Sequence, residues 1–196
     1  MEPPIRLFVA VDLDDRARVA IASEQQRIAA ALGDARSSVK WVAPDRMHLT
    51  LVFLGEVPEG RAAPIVDAMT REMPFDPFDI SFRDVGVFPE RGAPKVVWIG
   101  VSRGRDELIR LQAEIARRLE PLGVEREPRP FQPHLTLGRW RESRGADRRS
   151  VVEAARRESL AIVTVDAATL YQSRISSAGP TYTVLARARL HAEGKM

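Results

Sequence analysis

The sequence contains no cysteine, and this absence removes several classes of chemistry at once. A chain without cysteine forms no disulfide, binds no metal through thiolates and uses no cysteine nucleophile. The sequence also lacks an apolar run near the roughly 18–20 residues that span a bilayer, and its first residues lack the order of a signal peptide. We therefore expect a cytoplasmic protein that does not enter the membrane.

Histidine is scarce, and its distribution indicates where chemistry takes place. Two of the three histidines, His48 and His134, each begin the tetrapeptide His-Leu-Thr-Leu, whereas His191 lies near the end of the chain with no motif around it. Catalytic zinc usually takes three protein ligands, so two histidines without cysteine argue against a zinc site. We predict that the protein uses neither a metal nor a cofactor.

The overall composition is that of a folded protein and is compatible with an anionic partner. The chain is 44% hydrophobic and 29% charged, which argues against disorder, and its 196 residues suffice for one sizeable domain. The net charge is +3, which suits a partner such as RNA. Arginines crowd the second motif, although a solvated surface loop explains them equally well: Arg129, Arg139, Arg141, Arg144, Arg148 and Arg149.

Alternation and capping patterns predict an α+β fold. Strands are predicted at residues 5–11, 39–42, 48–54, 78–88, 95–101, 133–139, 160–171 and 181–190. Helices are predicted at residues 15–32, 59–73, 106–119 and 147–158, and a loop at 172–180. A strand, a helix and a His-Leu-Thr-Leu strand follow one another twice. This repeat predicts one domain over residues 1–196, made of two intertwined lobes that are related by a pseudo-two-fold axis.

The repeated motif predicts a two-histidine active site in a cleft between the lobes. Because strand side chains alternate, His48 and Thr50 face one side of the strand while the leucines face the core, and His134 and Thr136 do the same. Two imidazoles on opposite sides of a phosphorus suit in-line displacement, one as general acid and one as general base. The threonines would donate to phosphate oxygens, and Arg139 is the nearest arginine for a further phosphate contact.

Simpler explanations exist for each of these residues. A single histidine in an apolar strand is usually a packed or surface residue, and a threonine is often only a good strand former; the matched pair of motifs argues against both. Three aromatic residues, Phe53, Phe88 and Trp98, are interpreted as core residues rather than platforms for stacking a base. Phe53 is nevertheless the candidate for base stacking.

Taken together, these motifs resemble the RNA 2′,3′-cyclic phosphodiesterases (LigT-like or ThpR proteins) of the two-histidine (2H) phosphoesterase superfamily. The resemblance covers nearly the whole chain. The matching segments are Arg6-Leu-Phe-Val-Ala-Val, Trp41-Val-x-Pro, His48-Leu-Thr-Leu-x-Phe-Leu-Gly, Val87-Phe-Pro, Val97-Trp-Ile-Gly-Val, Phe131-x-Pro-His-Leu-Thr-Leu-Gly-Arg, Leu170-Tyr-x-Ser-Arg and Gly179-x-x-Tyr182.

The resemblance implies a bilobal fold in which each lobe is an antiparallel sheet with helices outside. It implies metal-independent hydrolysis of a terminal 2′,3′-cyclic phosphate on RNA, or on a small cyclic nucleotide, to a 2′-phosphomonoester. By the family's pattern, His48 is the general acid and His134 the general base. We expect a monomer. Two alternatives stay open, an ATP-independent 2′-5′ RNA ligase and a non-catalytic RNA- or nucleotide-binding module.

Overall fold

The computed structural model describes residues 4–156, 158–176 and 179–191. Its strands are β1 (Ile5–Asp12), β2 (Val39–Trp41), β3 (His48–Val57), β4 (Phe78–Phe88), β5 (Val96–Arg103), β6 (His134–Trp140), β7 (Ala161–Val165), β8 (Ala167–Ser176) and β9 (Gly179–Arg189). Its helices are α1 (Asp15–Ala31), α2 (Ala62–Thr70), α3 (Arg105–Leu119) and α4 (Gly145–Ala154). No helix in these ranges has the length and apolar character that a membrane crossing requires.

The strands form two antiparallel sheets that repeat one arrangement. One sheet has the order β3-β1-β8-β9 and the other has the order β2-β6-β5-β4-β7. If β2 is set aside, β3-β1-β8 corresponds to β6-β5-β4, with a motif strand at the same place in each set. Helix α1 joins β1 to β3, and α3 joins β5 to β6. The predicted α+β fold with two related lobes is therefore confirmed.

The connecting helices are exchanged between the lobes. Helix α1 connects two strands of the four-stranded sheet but contacts α4 and β7, which belong to the other lobe. Helix α3 connects two strands of the five-stranded sheet but contacts β3 and α2. A strand–helix–strand unit of the sequence is thus not a lobe by itself, because its helix covers the sheet of the other unit.

Local sequence signals explain where the connecting helices begin and which face they bury. The Asp14 side chain caps α1 by accepting a hydrogen bond from the backbone N–H of Ala17 at 2.7 Å. Helix α3 places its apolar residues three or four positions apart, so they form one buried stripe. That stripe consists of Leu108, Leu111, Ile115 and Leu119.

One continuous apolar core includes residues from both sheets. The motif leucines are among its most deeply buried members: Leu49, Leu51, Leu135 and Leu137 are at most 3% exposed. Burial of a leucine side chain contributes about 1.5–3 kcal/mol, so the motif strands hold the lobes together with the same residues that alternate with the histidines.

The structure corrects the sequence prediction most strongly near the end of the chain. The predicted strand at 160–171 is two strands, β7 and β8, which lie in different sheets and are separated at Asp166. Most of the predicted loop at 172–180 is strand, because its polar residues pair with β9 along a long hairpin; positions 177 and 178 of that loop lie outside the described residues. The predicted helix at 59–73 is shorter, since a 3-10 turn at Glu59–Arg61 precedes α2.

We propose that the exchanged helices make residues 1–196 one cooperative folding unit. All three tryptophans, Trp41, Trp98 and Trp140, belong to the five-stranded sheet. We predict that Leu49→Ala, a change in the four-stranded sheet, destabilises the protein by about 2–5 kcal/mol and moves the tryptophan fluorescence transition in urea together with the far-ultraviolet circular dichroism transition. Val19→Ala, at a position 71% exposed, serves as the control and leaves both unchanged. A tryptophan transition unaffected by Leu49→Ala contradicts the proposal.

Candidate active site

The two motif strands present their polar residues in the way the alternation predicts. In β3, His48 and Thr50 are half-buried, while the intervening leucines are buried. In β6, His134 and Thr136 repeat this pattern. The two strands contact each other although they belong to different sheets. The two histidines therefore lie on two strands that are in contact with each other, one from each sheet.

Electrostatic and ring contacts indicate that the two motif faces lie near each other, and we call the region between them the cleft. The Tyr182 ring, on β9 of the four-stranded sheet, meets the His48 ring edge-on with centroids 5.3 Å apart. Burial raises the pKa of the Tyr182 hydroxyl, and the positive charges of Arg46 and Arg139 oppose that rise. Arg139 lies on β6 and also acts on the pKa of His134. One guanidinium thus acts on groups of both sheets.

Each histidine is oriented by the same backbone hydrogen bond. His48 Nδ1 lies 2.8 Å from the carbonyl oxygen of Arg46, and His134 Nδ1 lies 2.7 Å from that of Gln132. Because a carbonyl oxygen only accepts, Nδ1 must carry the proton in both rings. The Nε2 atom of each ring is then the one available to exchange a proton with a bound group.

Aromatic rings contact each imidazole, by stacking on His48 and edge-on at His134. The Phe8 ring stacks on His48 with centroids 4.8 Å apart, and Phe88 meets His134 edge-on at 5.2 Å. Trp98 also lies beside His134, at 6.2 Å, and stacks on Phe88. The interpretation of Phe88 and Trp98 as core residues is wrong, since both are half-buried beside the second motif.

Matched β-bulges alter the alternation at the same place in both motif strands. Leu51 of β3 has no partner on β1, and Leu137 of β6 has none on β5. A bulge inserts one residue, so the side chains beyond it change faces relative to a regular strand. The fifth residue after each histidine consequently turns onto the histidine face. These residues are Phe53 in β3 and Arg139 in β6.

The strand register confirms where these two residues lie. Phe53 is paired with Phe8, the residue that stacks on His48, and Arg139 is paired with Val96. Residues directly opposite each other in an antiparallel pair share a face. The Phe53 side chain is 67% exposed, so its interpretation as a core residue is also wrong. Its exposure comes from the bulge, which the sequence pattern does not reveal.

Burial lowers the pKa of both histidines, but the neighbouring charges differ. For His48, the hydrogen bond to Arg46 and the negative charge of Asp12 oppose that lowering. For His134, the hydrogen bond to Gln132 opposes it, while the positive charge of Arg139 lowers the pKa further. The backbone is nearly symmetric at the two sites, whereas the electrostatic surroundings are not.

Gln25 holds the second bulge in place. Its Nε2 atom, on α1, donates to the carbonyl oxygens of Leu137 and Val42, both at 2.8 Å. The Val42 N–H donates to the same Leu137 carbonyl at 2.9 Å. Gln25 is 7% exposed, and a buried carbonyl left without a donor is costly. The exchanged helix thus fixes the bulge that directs Arg139 to the cleft.

Residues 4–156, 158–176 and 179–191 contain no group of three histidine, aspartate or glutamate side chains arranged to hold a metal ion. The third histidine, His191, follows β9, where its backbone N–H donates to the carbonyl oxygen of Met73. It belongs to neither motif strand.

Comparison with known proteins identifies the family. A family model described as the 2'-5' RNA ligase superfamily matches residues 15–174 of the chain. The chain belongs to this superfamily. Its membership agrees with the resemblance to two-histidine phosphoesterases that the motifs predict, and the matched region includes both His-Leu-Thr-Leu motifs.

Named relatives within the superfamily cover almost the whole chain. A protein of Archaeoglobus fulgidus named RNA 2′,3′-cyclic phosphodiesterase is 39% identical over 178 residues, which are 91% of this chain and 96% of the relative. A protein of Methanothermobacter thermautotrophicus with the same name is 33% identical and covers 91% of this chain and 95% of its own length.

Solved structures of the superfamily share the fold. The protein TT0787 of Thermus thermophilus superimposes with a TM-score of 0.76 at 28% identity, covering 96% of this chain and all of the other. Escherichia coli LigT complexed with 3′-AMP has a TM-score of 0.75 at 27% identity and covers 95% of this chain and 98% of the other.

Sequence reasoning identified the motif residues but missed their surroundings. The structure places His48, Thr50 and Phe53 on one face of β3, and His134, Thr136 and Arg139 on one face of β6. The missed residues are Phe8, Asp12, Gln25, Arg46, Tyr171 and Tyr182, which lie far from the motifs in sequence or precede them closely. Phe8, Tyr171 and Tyr182 stand in segments that carry the family resemblance, but no role at the site was predicted for them. The scarcity of tyrosine was a further signal, since the chain has only two tyrosines.

We predict that Gln25→Met lowers both stability and activity, because it removes the donor of one buried and one partly buried hydrogen bond and leaves the Val42 carbonyl without that donor. The expected loss of stability is about 1–3 kcal/mol, measured by urea denaturation. The exposed neighbour Gln26 provides the matched control, and Gln26→Met keeps wild-type stability and turnover. Equal behaviour of the two variants contradicts the role given to Gln25.

Proposed function

We propose that the protein hydrolyses a terminal 2′,3′-cyclic phosphate on RNA to a 2′-phosphomonoester, with His48 as general acid and His134 as general base. The observation that carries this proposal is the matched pair of imidazoles, each held by an Nδ1 hydrogen bond so that Nε2 is available. The relatives named RNA 2′,3′-cyclic phosphodiesterase support the substrate.

The proposed reaction opens the cyclic phosphate at its 3′ oxygen. His134 Nε2 takes a proton from a water molecule, whose oxygen attacks phosphorus, and His48 Nε2 gives a proton to the departing 3′ oxygen. An acid and a base on opposite sides suit this in-line geometry, and each contributes about 10²–10⁴-fold. The Thr50 and Thr136 hydroxyls lie on the histidine faces and donate to the non-bridging oxygens, where negative charge increases.

The charges around the histidines support this division of roles. Asp12 lies opposite His48 in the β1–β3 register, so its carboxylate favours the protonated imidazole that a general acid needs. Arg139 favours the neutral imidazole of His134, the form that a general base needs. The exposure of the Arg139 side chain on the face of Thr136 supports a role for it as a phosphate contact.

The exposed Phe53 ring supports a place for the terminal base. Phe53 and Arg139 occupy equivalent positions in the two motif strands, and both lie on the histidine face. A base stacks on an aromatic ring or on a guanidinium plane without regard to sequence. A solved relative is complexed with 3′-AMP, a single nucleotide.

We further propose a monomeric cytoplasmic enzyme that uses no metal or cofactor.

We predict that His48→Ala and His134→Ala each lower hydrolysis of an RNA ending in a 2′,3′-cyclic phosphate by about 10²-fold or more, while the wild type keeps full activity in EDTA. Product analysis should give the 2′-phosphomonoester. The variant His191→Ala, at an exposed histidine outside both motif strands, is the control and keeps wild-type activity. Full activity in either histidine variant, or loss of wild-type activity in EDTA, overturns the mechanism.

The same assay separates the two alternatives. A 2′-5′ RNA ligase joins the cyclic phosphate end to an added RNA with a 5′-hydroxyl, and the superfamily is named for this reaction. A binding module retains the cyclic phosphate end without converting it. Hydrolysed product in the presence of the added RNA supports the proposed function, joined product supports the ligase, and unchanged bound RNA supports the binding module.

We predict a bell-shaped dependence of kcat/KM on pH with its maximum below 6.5, the ordinary pKa of histidine, because both pKa values are lowered. Asp12→Asn removes a charge that raises the pKa of His48, so the limb assigned to the general acid moves to lower pH and the optimum shifts with it. Asp67→Asn, on the exposed surface of α2, leaves the profile unchanged. An unchanged profile in Asp12→Asn contradicts the acid assignment.

A further inference from the structure

A polar cavity of about 310 Å³ adjoins the candidate active site where the chain passes from β7 to β8. Its walls come from β1, α1, the β7–β8 segment and β9. The side chains that give it chemical character are Asp12, Arg18, Asp166, Tyr171 and Arg187. Its volume is within the range of pockets that hold small organic groups.

The cavity lies on the same face as His48 and close to it. Asp12, which lines the cavity, is directly opposite His48 across the β1–β3 pair. The Tyr171 ring, also at the cavity, stacks on Phe8 at 5.3 Å, and Phe8 stacks on His48 at 4.8 Å. Two ring contacts therefore separate the cavity from the candidate general acid. A group bound there is adjacent to whatever occupies the histidine cleft.

The negative charge of Asp12 is already satisfied by the protein. Its carboxylate accepts hydrogen bonds from the Tyr171 hydroxyl at 2.5 Å, from the Thr169 hydroxyl at 2.9 Å and from Arg187 Nη2 at 3.0 Å. Charge-assisted hydrogen bonds of this kind hold a carboxylate firmly. The Asp12 carboxylate is thus fixed in the wall of the cavity by three hydrogen bonds. The bond from Arg187 uses only Nη2, so the other N–H groups of Arg187 are not used by Asp12.

Arg18 provides donors that the described part of the chain does not use. Its Nε atom is buried and has no hydrogen-bond partner among the described residues. Its nearest carboxylate is that of Asp15, 3.9 Å from Nη1 and fully exposed to solvent. Arg18 and Tyr171 line the same cavity, and Arg187 and Tyr171 bind the same Asp12 carboxylate. The positive charges of Arg18 and Arg187 accordingly oppose the raised pKa of the Tyr171 hydroxyl. Asp166 is the other carboxylate of the wall, and it lies exposed.

We propose that this cavity binds the phosphodiester on the 5′ side of the terminal nucleotide, with Arg18 as its principal ligand. The inference rests on the proposed function, because it takes the cyclic phosphate to lie between the two histidines. A guanidinium with unused donors is the side chain best suited to a phosphodiester. The preferred substrate is then an RNA chain of two or more nucleotides rather than a mononucleotide.

The test compares three substrates. They are adenosine 2′,3′-cyclic phosphate, a short RNA with the same terminal group, and that RNA with a neutral methylphosphonate at its last linkage. In both RNAs the ribose before this linkage is 2′-O-methylated, which prevents spontaneous cleavage. The wild type should prefer the charged RNA, by kcat/KM, over both other substrates by about tenfold.

Arg18→Gln should reduce the preference for the charged RNA over the mononucleotide by about tenfold. The kcat/KM of this variant should be nearly the same for the charged RNA and for the methylphosphonate RNA. Arg110→Gln, an exposed arginine of the outer helix α3, removes the same charge elsewhere and keeps the wild-type preference. Circular dichroism and thermal unfolding establish that both variants fold.

The proposal is overturned if Arg18→Gln lowers kcat/KM equally for all three substrates. It is also overturned if the methylphosphonate lowers the kcat/KM of the wild type and of the variant by the same factor. If the wild type hydrolyses none of the substrates, the proposed function fails, and direct binding still decides the present inference. In that case the dissociation constants of RNAs ending in a 2′-phosphate, with and without the neutral linkage, are compared for wild type and Arg18→Gln. If the wild type binds the charged and the neutral linkage with equal dissociation constants, the inference is overturned.

Discussion

The candidate site depends on one constraint, the pairing of each motif strand with its neighbour through a bulge at its second leucine. A regular strand would place the histidine and threonine toward the cleft and turn the fifth residue away. The unpaired Leu51 and Leu137 change that alternation while both leucines remain in the core. Each motif therefore brings a third side chain to the cleft without losing any burial. The two lobes use this position differently, one for an aromatic ring and the other for a cation.

Much of the site follows from the sequence because the His-Leu-Thr-Leu pattern is local. Alternation over four residues determines which side chains share a face, and the repetition of the motif determines that two such faces exist. The bulges do not follow from the sequence, because a bulge is a property of two paired strands. For β6 it depends on a glutamine more than a hundred positions earlier in the chain. The interpretation of Phe53 as a core residue failed for this reason.

The fold shows the same division between local and distant causes. The amphipathic stripe of α3 and the cap of α1 are encoded within one or two turns, and the predicted helices there are close to those observed. The separation of β7 from β8 has no glycine or proline to mark it, because the chain changes sheets at Asp166 while it remains extended. Likewise, the polar residues of β8 resemble a loop until their partners on β9 are known.

The exchange of the connecting helices has a consequence for how such a chain arises. A single strand–helix–strand unit cannot cover its own sheet, because its helix packs on the other one. Two identical copies of the unit would each need the helix of its partner, so the smallest stable assembly of that unit would be a domain-swapped dimer. Gene fusion of such a dimer gives one chain with two similar halves. It would also allow the two halves to differ, and this chain carries Phe53 and Arg139 at equivalent positions.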